Sequence, residues 1–447
     1  MPHNNKIGRL ILDVEANHNV THKPKMGFWK CWAMSVGVMI GSGVFLLPTV
    51  LAPFGSISFL GWIVTSSAAI IIALILGRLA GRTERSGGFY VYTQEAFGDL
   101  VGFLIAWGYW LGIIFAITAI STAFVGYLSA VIPAIGVSSF SQAITAAIVI
   151  WTFAALNIKG VGSGAFIQLI TTILKLIPLG VIILLGITAG TPDNIPPFNP
   201  QEQSVLGAVA ATAMLTMWAF IGLEAGTVAA GDVVDPKKTI PRAIVAGTLT
   251  VTFVYIAATA AVMMLVPPDI LKTSEAPFVD AAKTLGPIGA GLIAFGALIS
   301  TAGSLNGNIF LGGQMPMALA IDGLAPKILA RKNKGGAAVW SLIISCVIAT
   351  ILLVFNYQEG LIAAFTFLIS MSTLCTLLPY ALSAIAEFRV SRNASKVWAF
   401  IALIAVVYVI FAMIGSGVKI LAWGLILILA GLPLYYLNRK TSLTNAD

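Results

Sequence analysis

The sequence predicts an all-α polytopic membrane protein with about twelve transmembrane helices. The 447-residue chain is 58% hydrophobic and only 9% charged, with a mean hydropathy of +0.97, whereas soluble domains carry about 25% charged residues. Its apolar runs repeatedly reach the ~20 residues that a helix needs to cross the hydrocarbon core. Its lysines and arginines lie almost entirely in alternate connections between these runs.

Twelve apolar runs are candidates for membrane spans. They lie at about 28–52, 56–80, 98–132, 138–158, 164–188, 203–230, 240–266, 286–316, 338–356, 359–386, 398–416 and 418–437. The third run is long enough to form either one strongly tilted helix or two short segments. Residues 1–27 and 438–447 are then short polar tails, and residues 28–437 form a single twelve-helix domain.

The basic residues orient this set of helices. With the N-terminus in the cytoplasm, 21 of the 25 lysines and arginines fall on the cytoplasmic side, and three fall on the opposite side. The remaining one, Lys175, lies inside the fifth span. This asymmetry predicts that both termini are cytoplasmic in a multi-pass plasma (inner) membrane protein. It also explains the net charge of +8 as a topology signal, so no nucleic-acid partner is expected.

The first span is interrupted where a membrane helix should be most regular. Gly41-Ser42-Gly43 lies at its centre, and each glycine costs a helix about 1 kcal/mol relative to alanine. Irregular backbone survives at membrane depth only where it is buried in protein or lines a wet cavity. This interruption therefore predicts a binding site.

The sixth span carries a second interruption at the matching position of a second half. Its stretch from Trp218 to Gly226 contains Gly222 and the mid-membrane acid Glu224. Two such interruptions, five helices apart, predict inverted repeats at about 28–188 and 203–386, followed by peripheral helices at 398–437. Broken helices expose amide groups at one end and carbonyl groups at the other. A ligand with a carboxylate and an ammonium group, such as an amino acid, suits both.

Three motifs then resemble transporters of the amino acid-polyamine-organocation superfamily, particularly its basic amino acid/polyamine antiporters. They are the stretches Gly41–Pro48, Trp218–Glu224 and Asp235–Pro241, and the similarity extends over nearly the whole chain. The resemblance implies ten helices in two inverted repeats with discontinuous helices 1 and 6, two peripheral helices, and transport by alternating access. It also implies sequential exchange or proton-coupled import.

The resemblance assigns the substrate contacts to the two interruptions. Ser42 and the exposed backbone of Ile40, Gly41, Gly43 and Ile221 are expected to hold the carboxylate and amino groups of the substrate.

Further roles follow from the same resemblance. Trp218 is expected to stack on the substrate or occlude it, and Glu224 to act in proton coupling or gating. Lys175 is expected to take the place of the sodium ion of related transporters, although a lysine that snorkels to the cytoplasmic side remains an alternative. Tyr90 is a further candidate for gating, and interfacial anchoring explains it equally well.

Two positions depart from the arginine/agmatine exchangers. An asparagine that contacts substrate three residues before the Gly-Ser-Gly is replaced here by Val38, and a tryptophan of span eight is replaced by Asn308. The serine of span ten is retained as Ser370. By the same resemblance, Val38, Asn308 and Ser370 are all expected to line the substrate site. These differences argue against assuming arginine as the substrate. The sequence therefore predicts the fold but not the identity of the substrate.

The leading hypothesis is a secondary active exchanger of amino acids, cationic ones included, and related amines, with proton-linked gating. A proton-coupled neutral amino acid permease or exporter is the alternative, and a non-transporting membrane sensor is the candidate from another class. No enzymatic motif lies within the spans, because the three histidines, His3, His18 and His22, lie in the N-terminal tail. No metal or cofactor is expected. The expected partners are the substrate, protons and the lipid bilayer, and a homodimer stays open.

Overall fold

The computed structural model describes residues 27–80, 82, 89–159, 165–224 and 233–444. The α-helices of this part are, in chain order, α1 (Phe28–Met39), α2 (Ser42–Leu51), α3 (Ser58–Ala80), α4 (Phe89–Phe97), α5 (Asp99–Val131), α6 (Ser139–Ile158), α7 (Ala165–Ala189), α8 (Val205–Met217), α9 (Pro236–Leu265), α10 (Pro268–Leu271), α11 (Pro277–Ala281), α12 (Gly286–Ile321), α13 (Val339–Asn356), α14 (Leu361–Ser391), α15 (Lys396–Gly415), α16 (Gly417–Leu429) and α17 (Gly431–Thr444).

These helices confirm an all-α polytopic membrane protein. Within the described ranges, ten helical stretches are long and apolar enough to cross a membrane, and Val205–Phe220 is a shorter apolar helix. The third predicted span is one continuous helix of 33 residues, α5, which decides between the two alternatives left open by the sequence.

The first interruption lies where it was predicted. Helix α1 ends at Met39, Ile40 is extended (φ −76°, ψ 94°), and α2 begins at Ser42. Gly41 joins the two half-helices with φ −129° and ψ −135°. Each half-helix therefore ends inside the protein, where its free backbone groups need partners.

The sixth span is also interrupted. Helix α8 ends at Met217 and passes into a tight 3₁₀ turn, Trp218–Phe220. Ile221 is extended, and Gly222 follows with φ +101°, a left-handed conformation that glycine adopts without steric cost. Gly226, which was predicted to close this interruption, lies outside the described residues.

An aromatic cluster supports both interruptions from one side. The rings of Trp62, Phe220 and Tyr255 lie with their centroids 5.5–6.1 Å apart, and all three residues are fully buried. They come from α3, the turn after α8, and α9. Rigid aromatic rings packed at such distances hold the turn after α8 at a fixed place.

The connection between α9 and α12, residues 266–285, forms a lid over α2. Phe278 packs edge-on against Phe45 with centroids 5.1 Å apart, and Thr49 Oγ1 donates to Ser274 O at 2.9 Å. Gln142 Nε2 donates to the Glu275 carboxylate at 2.8 Å, and burial raises the pKa of the Glu275 carboxyl. The lid thus packs on α2, the half-helix that follows the first interruption.

The contact between α15 and α8 leaves no room for a side chain at Gly415. A Cβ there would overlap the carbonyl group of Ala210 and lie 2.7 Å from Ala211 N. We expect Gly415→Ala to lower the free energy of unfolding by roughly 1–3 kcal/mol, because the backbone of α8 must move. Thermal unfolding of the detergent-solubilised protein measures this change.

Gly291 of α12 is the matched control, because a Cβ there would meet no atom within 4 Å. Gly291→Ala should leave the melting temperature unchanged or raise it slightly. Equal melting temperatures for the two variants would contradict the close packing of α15 on α8.

Candidate functional site

The two interruptions meet at the centre of the described helices. A Cβ on Gly43 would lie 3.2 Å from both Ala219 Cα and Trp218 Cδ1. A Cβ on Gly222 would lie 2.5 Å from Val38 Cγ1. Glycine at position 43 lets α2 approach the backbone of the turn after α8, and glycine at position 222 leaves room for the Val38 side chain. The structure therefore brings together the two segments that the sequence predicted to share one site.

The eighth span, α12, supplies a third wall. Ser304 lies against Gly41, where an added Cβ would come within 2.9 Å of Ser304 Cβ and closer still to its hydroxyl oxygen. Asn308 follows one turn later and is half-buried. Its side-chain Nδ2 donates to Ser304 O at 2.9 Å, so its amide nitrogen is held by its own helix.

The carbonyl end of α1 is capped by two side chains from other helices. Lys175 Nζ on α7 donates to Gly37 O at 3.0 Å and to Ile40 O at 3.1 Å. Tyr255 Oη on α9 donates to Met39 O at 2.6 Å. Lys175 is buried, so its ammonium group faces these carbonyls rather than snorkelling to the membrane surface. Three carbonyls of the last turn thereby gain hydrogen-bond donors.

The amide end of α2 has no such cap. Gly41 occupies the N-cap position and offers no side chain to the first amide groups of α2. The Ser42 hydroxyl is buried, and among the described residues its Oγ has no hydrogen-bond partner. Free amides at a helix N-terminus attract negative charge. This end of the interruption is therefore suited to a carboxylate.

Glu224 lies just past the turn after α8 and links three segments. Its Oε1 accepts from Tyr109 Oη of α5 at 2.9 Å, and its Oε2 accepts from Tyr380 Oη of α14 at 2.6 Å. Its Oε2 also accepts from Gly222 N at 3.2 Å. The buried carboxylate thus ties the second interruption to two long helices.

Sequence reasoning missed Tyr109 and Tyr380 as site residues. They lie 115 and 156 residues from Glu224 in the chain, so no local pattern joins them to it. The one available signal was their chemistry, because a buried tyrosine hydroxyl normally finds a hydrogen-bond partner. An acid predicted in mid-membrane needed such donors as well.

The remaining candidates have local partners. Ser370 Oγ donates to Thr366 O of its own helix at 2.7 Å. Tyr90 Oη donates to Asp322 Oδ2 at 2.7 Å, and Tyr90 packs in a separate apolar cluster with Phe103, Ala106, Leu319 and Tyr435. These contacts attach Tyr90 to the end of α12.

Three charged side chains are buried among the described residues: Lys175, Glu224 and Glu387. Glu387 is paired with Arg78 Nε at 2.9 Å and with Arg82 Nη1 at 2.7 Å. Lys175 and Glu224 therefore remain as the buried charges at the two interruptions, and they have opposite signs.

Within the described part of the chain, no cluster of three His, Cys, Asp or Glu side chains is placed to hold a metal ion.

Comparison of the sequence with known proteins identifies the family to which this chain is similar. A profile of the amino acid permease family matches residues 26–438. A putative arginine/ornithine antiporter of Bacillus subtilis is 30% identical over 82% of this chain and 84% of its own length. A cadaverine/lysine antiporter of Escherichia coli is 31% identical over 82% and 83% of the two chains. A putrescine transporter of Escherichia coli is 28% identical over 92% and 95%.

The contact between Gly41 and Ser304 generates a test by paired substitution. Gly41→Ala places a Cβ that collides with the Ser304 side chain. We expect Gly41→Ala to reduce ligand binding at least tenfold, and Gly41→Ala with Ser304→Gly to recover most of it. Ligand-induced stabilisation of the purified protein measures both.

Ser304→Gly alone is the control for this pair and should bind ligand nearly as the unchanged protein does. A double variant that is no better than Gly41→Ala would show that the two residues do not collide.

Proposed function

Because the chain belongs to the amino acid permease family, a family of transporters rather than enzymes, we propose that it exchanges amino acids or related amines across the plasma membrane by alternating access. The observation that carries this proposal is the Ser42 hydroxyl at the uncapped amide end of α2, which has no partner among the described residues. The neighbouring Gly43 contacts the second interrupted helix. The relatives in Bacillus subtilis and Escherichia coli support the exchange of amino acids and amines, since their names describe antiporters of such compounds.

The substrate would lie between the two interruptions. Its carboxylate would accept from Ser42 and from the amides that begin α2. Its amino group would bind the extended backbone around Ile221. Trp218, whose ring lies against Gly43, would cover it. Val38 and Ile221 are half-buried among otherwise buried neighbours, which suits residues that line a cavity.

Glu224 would act as the proton-linked gate. Its carboxylate accepts hydrogen bonds from α5 and α14 at once. A proton added to one oxygen turns that oxygen into a donor, and it removes the negative charge that strengthens both contacts. This would loosen the turn after α8 relative to the long helices. Protonation and movement of the second interruption would then be coupled.

Lys175 would take the role of a fixed cation. Its ammonium group already donates hydrogen bonds to the carbonyls at the end of α1. A bound sodium ion would be coordinated by carbonyls of this kind. Transport should then need no sodium.

We further propose the chain's organisation in the membrane. Both termini would be cytoplasmic, since 21 of 25 basic residues then face the cytoplasm. Residues 28–188 and 203–386 would form the two inverted repeats, with the peripheral helices at 398–437 and the tails at 1–27 and 438–447. The lid over α2 would lie on the extracellular side.

A proton-coupled permease for neutral amino acids is the second candidate. Val38 packs against Gly222, and Asn308 donates to its own helix. The arginine/agmatine exchangers are expected to have an asparagine at the position of Val38 and a tryptophan at the position of Asn308. Both of these substrate contacts are absent here. This favours a substrate whose side chain needs no specific partner.

Counterflow in proteoliposomes tests the proposed function. Vesicles preloaded with one amino acid or amine, in sodium-free buffer, are expected to accumulate the labelled compound at least several-fold over empty vesicles. Empty vesicles that accumulate substrate only with an imposed pH gradient would instead identify the proton-coupled permease. Transport that requires sodium would contradict the role of Lys175.

The gating role of Glu224 predicts the effect of Glu224→Gln. The amide keeps the size of the side chain but cannot take up a proton, so the pH dependence of uptake should be flattened. Initial rates measured between pH 5 and 8 report the profile.

Tyr380→Phe is the comparison for this variant. It removes one donor to the carboxylate and leaves the titratable group in place, so it should change the rate and retain a pH-dependent profile. A Glu224→Gln profile that superimposes on that of the unchanged protein would exclude Glu224 as the gate.

A further inference from the structure

The charge balance at the two interruptions restricts the kind of substrate that fits. Lys175 supplies one positive charge and Glu224 can supply one negative charge, and both are buried. The third buried charge, Glu387, is held by Arg78 and Arg82. A buried charge without a partner is costly, so the ligand that disturbs this balance least carries no net charge.

The groups that would hold a cation already accept hydrogen bonds from the protein. At the carbonyl end of α1, Lys175 and Tyr255 donate to the carbonyls of Gly37, Met39 and Ile40. Both oxygens of the Glu224 carboxylate accept hydrogen bonds from tyrosines. A second ammonium group on the substrate would have to share these oxygens with donors that the protein already supplies.

The groups that would hold an anion are available. Helix α2 has ten residues, its first amides lack a side-chain cap, and the buried Ser42 Oγ beside them has no partner among the described residues. If no carboxylate is bound, these donors stay unpaired inside the protein, and unpaired buried donors destabilise the complex.

We infer that the site accepts zwitterionic α-amino acids with uncharged side chains and rejects amines that lack a carboxylate, with Lys175 as the residue that sets this preference. The inference rests on the proposed function and narrows its substrate class. The carboxylate satisfies the donors of Ser42 and α2, whereas the fixed ammonium of Lys175 disfavours any further positive charge.

Four compounds that share a four-carbon amine skeleton, with or without a carboxylate, separate the two requirements. Norvaline and ornithine differ by a terminal ammonium group, and butylamine and putrescine are the same two molecules without the carboxylate. Ligand-induced thermal stabilisation of the purified full-length protein gives their relative affinities. We expect norvaline to bind tightest, ornithine about 10-fold more weakly, and each decarboxylated amine about 100-fold more weakly than its parent amino acid.

Two results would overturn the inference. One is an amine that binds within about threefold of its parent amino acid, and the other is ornithine binding more tightly than norvaline. Counterflow of the same compounds separates this failure from that of the proposed function. Exchange of putrescine would sustain the proposed function and overturn the inference, whereas no exchange of any amino acid or amine would overturn both.

Lys175→Met tests the residue itself. It removes the charge at nearly constant length, so the preference for ornithine over putrescine should fall about 10-fold. Lys419→Met, at an exposed lysine of α16, removes the same charge elsewhere and should leave the ratio unchanged. An unaltered ratio in Lys175→Met would overturn the role of Lys175.

Ser42→Ala provides a second variant should Lys175→Met fail to fold. It removes a donor for the carboxylate, so norvaline and ornithine should bind about 10-fold more weakly while butylamine and putrescine are unaffected. Equal losses for all four compounds would overturn the assignment of the carboxylate to this end of α2.

Discussion

The structure depends on a single constraint: backbone groups released by a broken helix inside the membrane must find partners. Membrane lipid offers none. At the carbonyl end of α1 the partners come from the protein itself, through Lys175 and Tyr255. At the amide end of α2 they are missing, and Ser42 lies there unpaired among the described residues. At the first interruption, the carbonyl groups of α1 are therefore hydrogen-bonded within the protein, which fixes this helix. The amide groups of α2 are available to a ligand.

The same constraint explains why the second interruption is linked to distant helices. The turn after α8 places Glu224 in the interior, where a bare carboxylate is costly. Tyr109 and Tyr380 provide donors from α5 and α14, and these two long helices thereby contact the turn through one titratable group. A change in that group alters both contacts, which connects the chemistry of the site to the arrangement of the helices.

Glycine makes the meeting of the two interruptions possible. Val38 can pack on Gly222, and Trp218 on Gly43, because neither glycine carries a Cβ. Val38 therefore has a structural role that the sequence did not reveal. Comparison by motif had predicted it as a substrate-lining position that lacks the polar group of related exchangers. Asn308 was likewise predicted to face the pathway, and its amide nitrogen is bound to Ser304 O.

The sequence by itself determined the helical membrane fold, the place of both interruptions and the two intramembrane charges, Lys175 and Glu224. These follow from apolar run length, from glycine in a helix and from the cost of charge in lipid, which are properties of one segment at a time. Only the tertiary structure decided which groups pair. The tyrosines of Glu224 and the carbonyls of Lys175 lie more than 100 residues away in the chain, and no local pattern specifies contacts over such separations.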